Sequence, residues 1–92
     1  MGKLSDQDVE ARLSGSSWAR NGESIEREWA FADFAAALRF VNEVGELAEQ
    51  GNHHPDILLH DFNQVKLSLS THSEGGLTSA DFALAQRIDD LS

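Results

Sequence analysis

The stretch NHHPDILLHDFNQVKLSLST, residues 52–71, changes from helical to strand periodicity within a few residues. Pro55 has no backbone N–H and cannot continue a helix, so a helix before it must already have ended. The two runs that follow, Ile57–Leu59 and Val65–Thr71, have an extended pattern, and the second alternates between apolar and polar side chains. These two runs predict a hairpin.

The segments before this stretch predict a long helix preceded by another hairpin. From Asp33 to Gln50, apolar residues recur every three or four positions, which predicts one helix that closes at Gly51. Ser24–Phe31 alternates as a strand does. An Asn21-Gly22 turn separates it from the segment around Trp18, which completes the first hairpin.

The two ends of the chain each predict a helix. Ser5 is placed to cap the first helix, which we expect to end near Gly15. Thr78 and Asp81 form a capping box at the start of the last helix. The buried side of that helix is predicted to hold Leu84, Ile88 and Leu91. The element order α-β-β-α-β-β-α predicts an α+β fold in one domain, residues 1–92, with a four-stranded antiparallel sheet and the helices packed on one face.

Composition and charge exclude several classes of function. The 92 residues include 7 Lys and Arg against 16 Asp and Glu, and the net charge of −9 repels nucleic-acid phosphates and anionic membranes. The absence of cysteine excludes disulfides and thiolate metal sites. No stretch approaches the roughly 18 apolar residues of a membrane span, and the N-terminus lacks a signal-peptide core. We expect a cytoplasmic protein without direct nucleic-acid or membrane contacts, assembled by sheet-edge pairing into a homodimer or homotetramer.

Three of the four histidines lie at boundaries between predicted elements, and this is the main chemical signal in the chain. His53 and His54 follow the long helix, and His72 follows the last strand. Imidazole titrates near neutral pH, so such a cluster suits proton transfer or metal binding. If the last strand runs through Thr71, His72 continues its polar side and is accessible. Glu49, four residues before His53, could hold one imidazole in a fixed tautomer.

The spacing of these residues resembles that of one enzyme family over nearly the whole chain. The matching positions are Glu49, His53-His54-Pro55, Phe62, His72 and Asp81, together with Trp18, Phe31, Phe34, the tetrapeptide Leu69–His72 and Gly76-Leu77. The pattern is similar to that of the pterin-4a-carbinolamine dehydratases. Between Pro55 and Phe62 the chain reads DILLHD, where animal members of that family tend to have aromatic residues.

The resemblance implies an enzyme without cofactor or metal that removes water from a 4a-hydroxytetrahydropterin to give a quinonoid dihydropterin, in the recycling of tetrahydrobiopterin. It implies that His53 and His72 move protons and that His54 helps to hold the ligand, so these three are the candidate catalytic residues. The residues that it places around the pterin substrate are Glu49, Asn52, Pro55, Ser70, Thr71, Ser73 and Asp81. A capping box accounts for Asp81 by itself, so we expect that residue only to support the site.

Two alternatives remain open. The three histidines with Glu49 or Asp81 could supply the ligands of a zinc ion, although adjacent histidines are awkward ligands for one ion. Animal members of the family also act as dimerisation cofactors of a homeodomain transcription factor, so the resemblance also allows a transcriptional cofactor module. His60 lies outside the family pattern, in a predicted short connection, and we expect it to face solvent.

Overall fold

The computed structural model describes residues 2–91 as three α-helices, a short 3₁₀ turn and one sheet of four strands. In chain order the elements are α1 (Asp6–Leu13), β1 (Ala19–Asn21), β2 (Ser24–Ala30), α2 (Phe34–Gly51), β3 (Asp56–His60), β4 (Gln64–Leu69), the 3₁₀ turn (His72–Glu74) and α3 (Ser79–Asp89). The predicted element order and the α+β class are confirmed.

The four strands form one antiparallel sheet in the order β1-β2-β4-β3. β2 and β4 occupy its centre, where Ile25 lies opposite Leu69, and β1 and β3 are its edges. The chain reverses between β3 and β4 through Asp61 and Phe62, whose φ angles of 48° and 57° lie in the left-handed region. Such angles are uncommon outside Gly, Asn and Asp, so Phe62 adopts this conformation at a steric cost.

One face of the sheet and the three helices enclose the core. Four side chains of the two central strands are fully buried, namely Ile25 of β2 and the alternate residues Val65, Leu67 and Leu69 of β4. They pack against apolar residues of every helix, namely Val9 of α1, Ala37, Phe40 and Val44 of α2, and Leu84, Ala85 and Ile88 of α3. Because side chains alternate along a strand, the polar residues of β4 face the other way. The helices therefore lie on one face of the sheet, as predicted.

Side-chain caps fix the first residue of each helix. Ser5 Oγ accepts the N–H of Asp8 at 3.1 Å at the start of α1. Asp33 Oδ1 accepts from the first turn of α2, and Thr78 caps α3 through the predicted capping box. Each cap satisfies backbone donors that have no partner inside the helix. The predicted helix starts are confirmed.

The last strand ends earlier than predicted, and one core assignment is wrong. β4 ends at Leu69 because Thr71 pairs with Gly76 instead of continuing the ladder, with N···O distances of 3.0 and 3.3 Å. His72 therefore begins the 3₁₀ turn. Leu91 lies beyond the end of α3 and is 37% exposed, so it does not line the buried side of that helix.

α2 buries only part of its apolar stripe. Phe40 and Val44 belong to the core, whereas Phe34 and Leu38 are 48% and 39% exposed. The exposed pair lies toward the beginning of the helix. α2 thus presents an apolar patch to solvent. None of the helices in residues 2–91 is long and apolar enough to cross a membrane.

Leu67→Ala is expected to lower the free energy of unfolding by about 2–5 kcal/mol, because the truncation leaves a cavity in the fully buried centre of the sheet. Leu91→Ala makes the same truncation at a side chain that remains more than a third exposed, and should cost about 1 kcal/mol or less. Urea unfolding followed by circular dichroism measures both changes. Equal losses in the two variants would contradict these positions.

Candidate active site

A buried carboxylate bonded to a histidine forms the centre of the candidate site. Asp81, in the first turn of α3, is fully buried, and its Oδ1 lies 2.6 Å from Nε2 of His53. An ionised carboxylate can only accept, so Nε2 carries the proton and donates it. Nδ1 of the same ring makes no hydrogen bond within residues 2–91. The ring is therefore held in one tautomer that leaves Nδ1 able to accept a proton.

The second oxygen of Asp81 is held by two more donors. Thr71 Oγ1 donates to Oδ2 at 2.8 Å, and the backbone N–H of Thr78 donates to the same oxygen at 2.9 Å. Because the Thr71 hydroxyl gives its only proton to Asp81, it accepts from Thr78 Oγ1, which lies 2.9 Å away. A buried charge is costly unless hydrogen bonds compensate it. The donors on both oxygens provide that compensation.

The C-terminus of α2 determines where the ring of His53 points. Asn52 adopts the left-handed conformation, with φ 49° and ψ 44°, and its N–H bonds to the carbonyls of Ala48 and Glu49. The N–H of His53 bonds to the Ala48 carbonyl at 3.0 Å. These bonds close the helix in the manner typical of a left-handed cap and turn the chain out of it. The turn brings the ring of His53 to the first turn of α3.

His54 pairs with Glu49 on the surface. Nε2 of His54 and Oε2 of Glu49 are in hydrogen-bond contact, with side chains 58% and 76% exposed. Glu49 does hold an imidazole, but the ring belongs to His54, and Asp81 holds that of His53. A solvent-exposed pair of this kind contributes about 0–1 kcal/mol. Glu49 therefore orients His54 much more weakly than Asp81 orients His53.

His72 borders an open cavity of about 330 Å³ on the polar face of the sheet. The residue is exposed, as predicted, although it begins the 3₁₀ turn and does not extend β4. Ser70 in the same cavity donates its hydroxyl proton to the carbonyl of Glu23 at 2.7 Å, so only its oxygen can still accept. The other residues around the cavity are Glu23, Ser24, Asp56, Ser68 and Gly75.

His53 borders a separate, smaller cavity of about 150 Å³ between the end of α2 and α3, lined mainly by apolar groups. The structure therefore does not place His53 and His72 in one cavity. Thr71 connects them, since its hydroxyl bonds the carboxylate that holds His53 and its backbone directly precedes His72. The two candidate rings are therefore connected by two hydrogen bonds, from His53 and from Thr71 to Asp81, and by the peptide bond between Thr71 and His72.

The remaining predicted residues lie at the margins of this cluster. Asn52 and Ser73 make no side-chain hydrogen bond within residues 2–91, and Pro55 joins α2 to β3. His60 is the last residue of β3 and not part of a connection, and its Nδ1 lies 2.8 Å from Oδ2 of Asp61. In the part of the chain described, no three His, Cys, Asp or Glu side chains group to hold a metal ion.

Two features of the site were not predicted. The capping box explains only Oδ2 of Asp81, whereas Oδ1 bonds His53, so Asp81 supports the site through a histidine as well as through the start of α3. Asp56 was not predicted to belong to the site at all. It is the first residue of β3 and lies opposite Ser68, which belongs to the polar face. In the sequence, polar Asp56 directly precedes apolar Ile57, and this change indicates that the two side chains lie on opposite faces of a strand.

A family model covers nearly all of the chain. The model described as Pterin 4 alpha carbinolamine dehydratase matches residues 2–91. The chain belongs to the pterin 4 alpha carbinolamine dehydratase family. The three histidines, the hydrogen bonds of Asp81 and the four-stranded sheet described above therefore belong to a member of this dehydratase family.

Similar proteins carry both enzymatic and other descriptions. A dehydratase-family relative from Acidobacterium capsulatum, named "Putative pterin-4-alpha-carbinolamine dehydratase", is 47% identical over 92 residues, which cover 99% of each chain. The crystal structure of a transcriptional coactivator/pterin dehydratase from Brucella melitensis matches with a TM-score of 0.90 and 29% identity over 98% of each chain. A pterin dehydratase-like protein identified as a RuBisCO assembly factor in the alpha-carboxysome has a TM-score of 0.69 and 27% identity, over 82% of this chain and 88% of the other.

In this dehydratase-family chain, Thr71→Val is expected to lower the free energy of unfolding by about 1–3 kcal/mol, because the buried carboxylate of Asp81 loses a donor while the side-chain shape is kept. Thr71→Ser keeps the hydroxyl and should lose about 1 kcal/mol or less, the cost of one half-buried methyl group. Urea unfolding of both variants measures the difference. A valine variant as stable as the serine variant would show that the hydroxyl does not hold Asp81.

Proposed function

We propose that this protein dehydrates a 4a-hydroxytetrahydropterin to the quinonoid dihydropterin by histidine acid–base catalysis, in the recycling of tetrahydrobiopterin. Membership of the dehydratase family supports the substrate and the reaction. The observation that carries the mechanism is the 2.6 Å hydrogen bond between the buried Asp81 and His53, in a network that reaches the residue before His72.

The reaction breaks one C–O bond and forms one C=N bond. N5 of the substrate loses its proton, and the electron pair of that N–H bond forms the C4a=N5 double bond. The hydroxyl on C4a departs with a proton as water. No oxidant or reductant is consumed, so the enzyme must supply a base at N5 and an acid at the departing oxygen. Imidazoles are suited to both tasks because they titrate near the working pH.

The surroundings of the two rings favour His53 as the base and His72 as the acid. Asp81 holds the Nε2 proton of His53, which leaves Nδ1 to take the proton from N5 of a substrate that reaches from the cavity beside His72 toward the cavity beside His53. The carboxylate then stabilises the imidazolium that forms, as a buried acid does in other catalytic sites. His72 is exposed beside its cavity and can regain from water the proton that it gives to the departing hydroxyl. His54, held only by a surface contact, contributes to binding.

His53→Ala and His72→Ala should each lower kcat by about 10²-fold or more, because each removes a general acid or base. The double variant should fall little below the worse single variant, since the two groups act in the same step and their effects are not additive. The measurement is the rate of quinonoid dihydropterin formation from chemically generated 4a-hydroxytetrahydropterin, corrected for the uncatalysed reaction. His54→Ala should act mainly through KM.

His60→Ala is the matched control, since this ring bonds Asp61 at the far end of β3 and lies outside the cluster. It should leave kcat and KM near wild type. Full activity in His72→Ala with a loss in His60→Ala would refute the assignment of the acid. Treatment with a chelator should leave the rate unchanged, and a loss that zinc restores would refute the acid–base mechanism.

We also propose that the protein is a homodimer or homotetramer that pairs through the edge strand β3. Within residues 2–91, β3 bonds only to β4, so its other side presents backbone groups without a partner there, and Ile57 and Leu58 are 38% and 54% exposed. An apolar strand edge of this kind readily pairs with another chain. Phe34 and Leu38 on α2 supply a second apolar surface through which dimers could associate further.

Leu58→Lys is expected to shift the protein toward monomer at micromolar concentration, because the added charge opposes strand pairing at the β3 edge. Leu38→Lys, on the α2 surface, should leave at least a dimer. Light scattering after size-exclusion chromatography gives the mass of each. A monomeric wild-type protein would refute the association, and loss of the dimer only in Leu38→Lys would place the contact on α2.

A further inference from the structure

We infer that Asp56 binds the N3–H and 2-amino donors of the pterin ring and makes the site prefer 2-aminopteridines over their 2-oxo analogues. This inference rests on the proposed function, because it describes how the cavity beside His72 would hold that substrate. It assigns a specificity-determining residue that neither the spacing of the histidines nor their hydrogen bonds identify.

Asp56 lies in the same cavity as His72, at the start of β3. It is directly opposite Ser68 in the ladder, where cross-strand neighbours have Cβ atoms about 5 Å apart. Ser70, just past the end of β4, lies two residues and roughly 7 Å beyond Ser68 in the same cavity and leads toward His72. A fused bicyclic ring can bridge a distance of this size. The cavity volume of about 330 Å³ is within the range of small-molecule sites.

The two carboxylates of this cavity differ in what already binds them. Glu23 contacts the ammonium of Lys3 and lies 3.4 Å from the guanidinium of Arg20. The hydrogen bond from Lys3 lowers the pKa of Glu23, so this group is ionised and already paired. Asp56, in contrast, makes no hydrogen bond or ion pair within residues 2–91. Of the two, Asp56 is the carboxylate with both oxygens available to a ligand.

The pterin ring presents the complement of a free carboxylate. Its N3–H and one N–H of the 2-amino group point in the same direction, as two donors of a guanidinium do, so one carboxylate can accept both. An oxo group at C2 replaces the second donor by an acceptor, which a carboxylate repels. With this edge at Asp56, the opposite part of the ring, which carries C4a and N5, extends toward His72. In this one orientation, the ring is next to Asp56 at one end of the cavity and next to His72 at the other.

Two stable fluorescent ligands test the inference, because pterin carries an amino group at C2 and lumazine carries an oxo group there. Wild-type protein should bind pterin about tenfold or more tightly than lumazine, the effect of one charge-assisted hydrogen bond. Asp56→Asn presents an N–H where the carboxylate accepted, so the two dissociation constants should come within about threefold of each other, mainly through weaker pterin binding. In turnover, the same variant should raise KM and leave kcat near wild type.

Asp61→Asn is the matched control, since this exposed aspartate lies beyond the other end of β3, in contact with His60. It should keep the wild-type ratio of dissociation constants. A wild-type protein without preference, or an Asp56→Asn variant that keeps the preference, would overturn the assignment of Asp56. If wild-type protein does not accelerate carbinolamine dehydration, the proposed function fails. Wild-type turnover with an unaltered ratio in Asp56→Asn refutes the role of Asp56 alone.

Discussion

The carboxylate of Asp81 is the group on which the rest of the site depends. It is fully buried, and its donors come from three separate places in the chain: His53 after α2, Thr71 after β4, and the backbone of Thr78 at the start of α3. An unpaired buried carboxylate would cost several kcal/mol, so the fold can bury it only when these segments meet. The carboxylate that stabilises the first turn of α3 is therefore also the one that orients the ring of His53.

Thr71 extends this constraint to the second histidine. Its backbone pairs with Gly76 and closes the loop that presents His72, while its hydroxyl bonds Asp81. The N-terminal segment supports the same loop, because the N–H of Leu4 bonds to the carbonyl of Leu77 at 2.8 Å. A side chain at Gly76 would meet the Lys3–Glu23 ion pair, with Glu23 Oε2 only 2.6 Å from the added Cβ. The residues before α1 thus pack closely against the segment that contains Gly76 and Leu77, which follows His72.

The fold could be predicted from the sequence where its determinants are local. Pro55 excludes helix, and the Thr78–Asp81 capping box begins one, whatever the rest of the chain does. The end of β4 could not be found in this way, because alternation continues past Leu69 and only the bond between Thr71 and a residue five positions later ends the strand. The helical spacing likewise continues to Leu91, beyond the end of α3, so spacing alone assigned that residue to the core wrongly.

The candidate site shows why spacing in the sequence identifies the residues of a site more readily than the hydrogen bonds between them. Glu49 precedes His53 by four residues, which made it the natural candidate to hold a histidine, yet it bonds the exposed His54. The partner of His53 is Asp81, 28 residues away. Water competes for an exposed carboxylate and is excluded from a buried one, so the strength of each contact follows from burial, which only the assembled fold determines. Asp56 and Asp81 show that two residues of the same type also differ in this way. The carboxylate of Asp81, with three donors, is suited to hold a candidate catalytic ring, and that of Asp56, without a donor in residues 2–91, is suited to accept hydrogen bonds from a ligand.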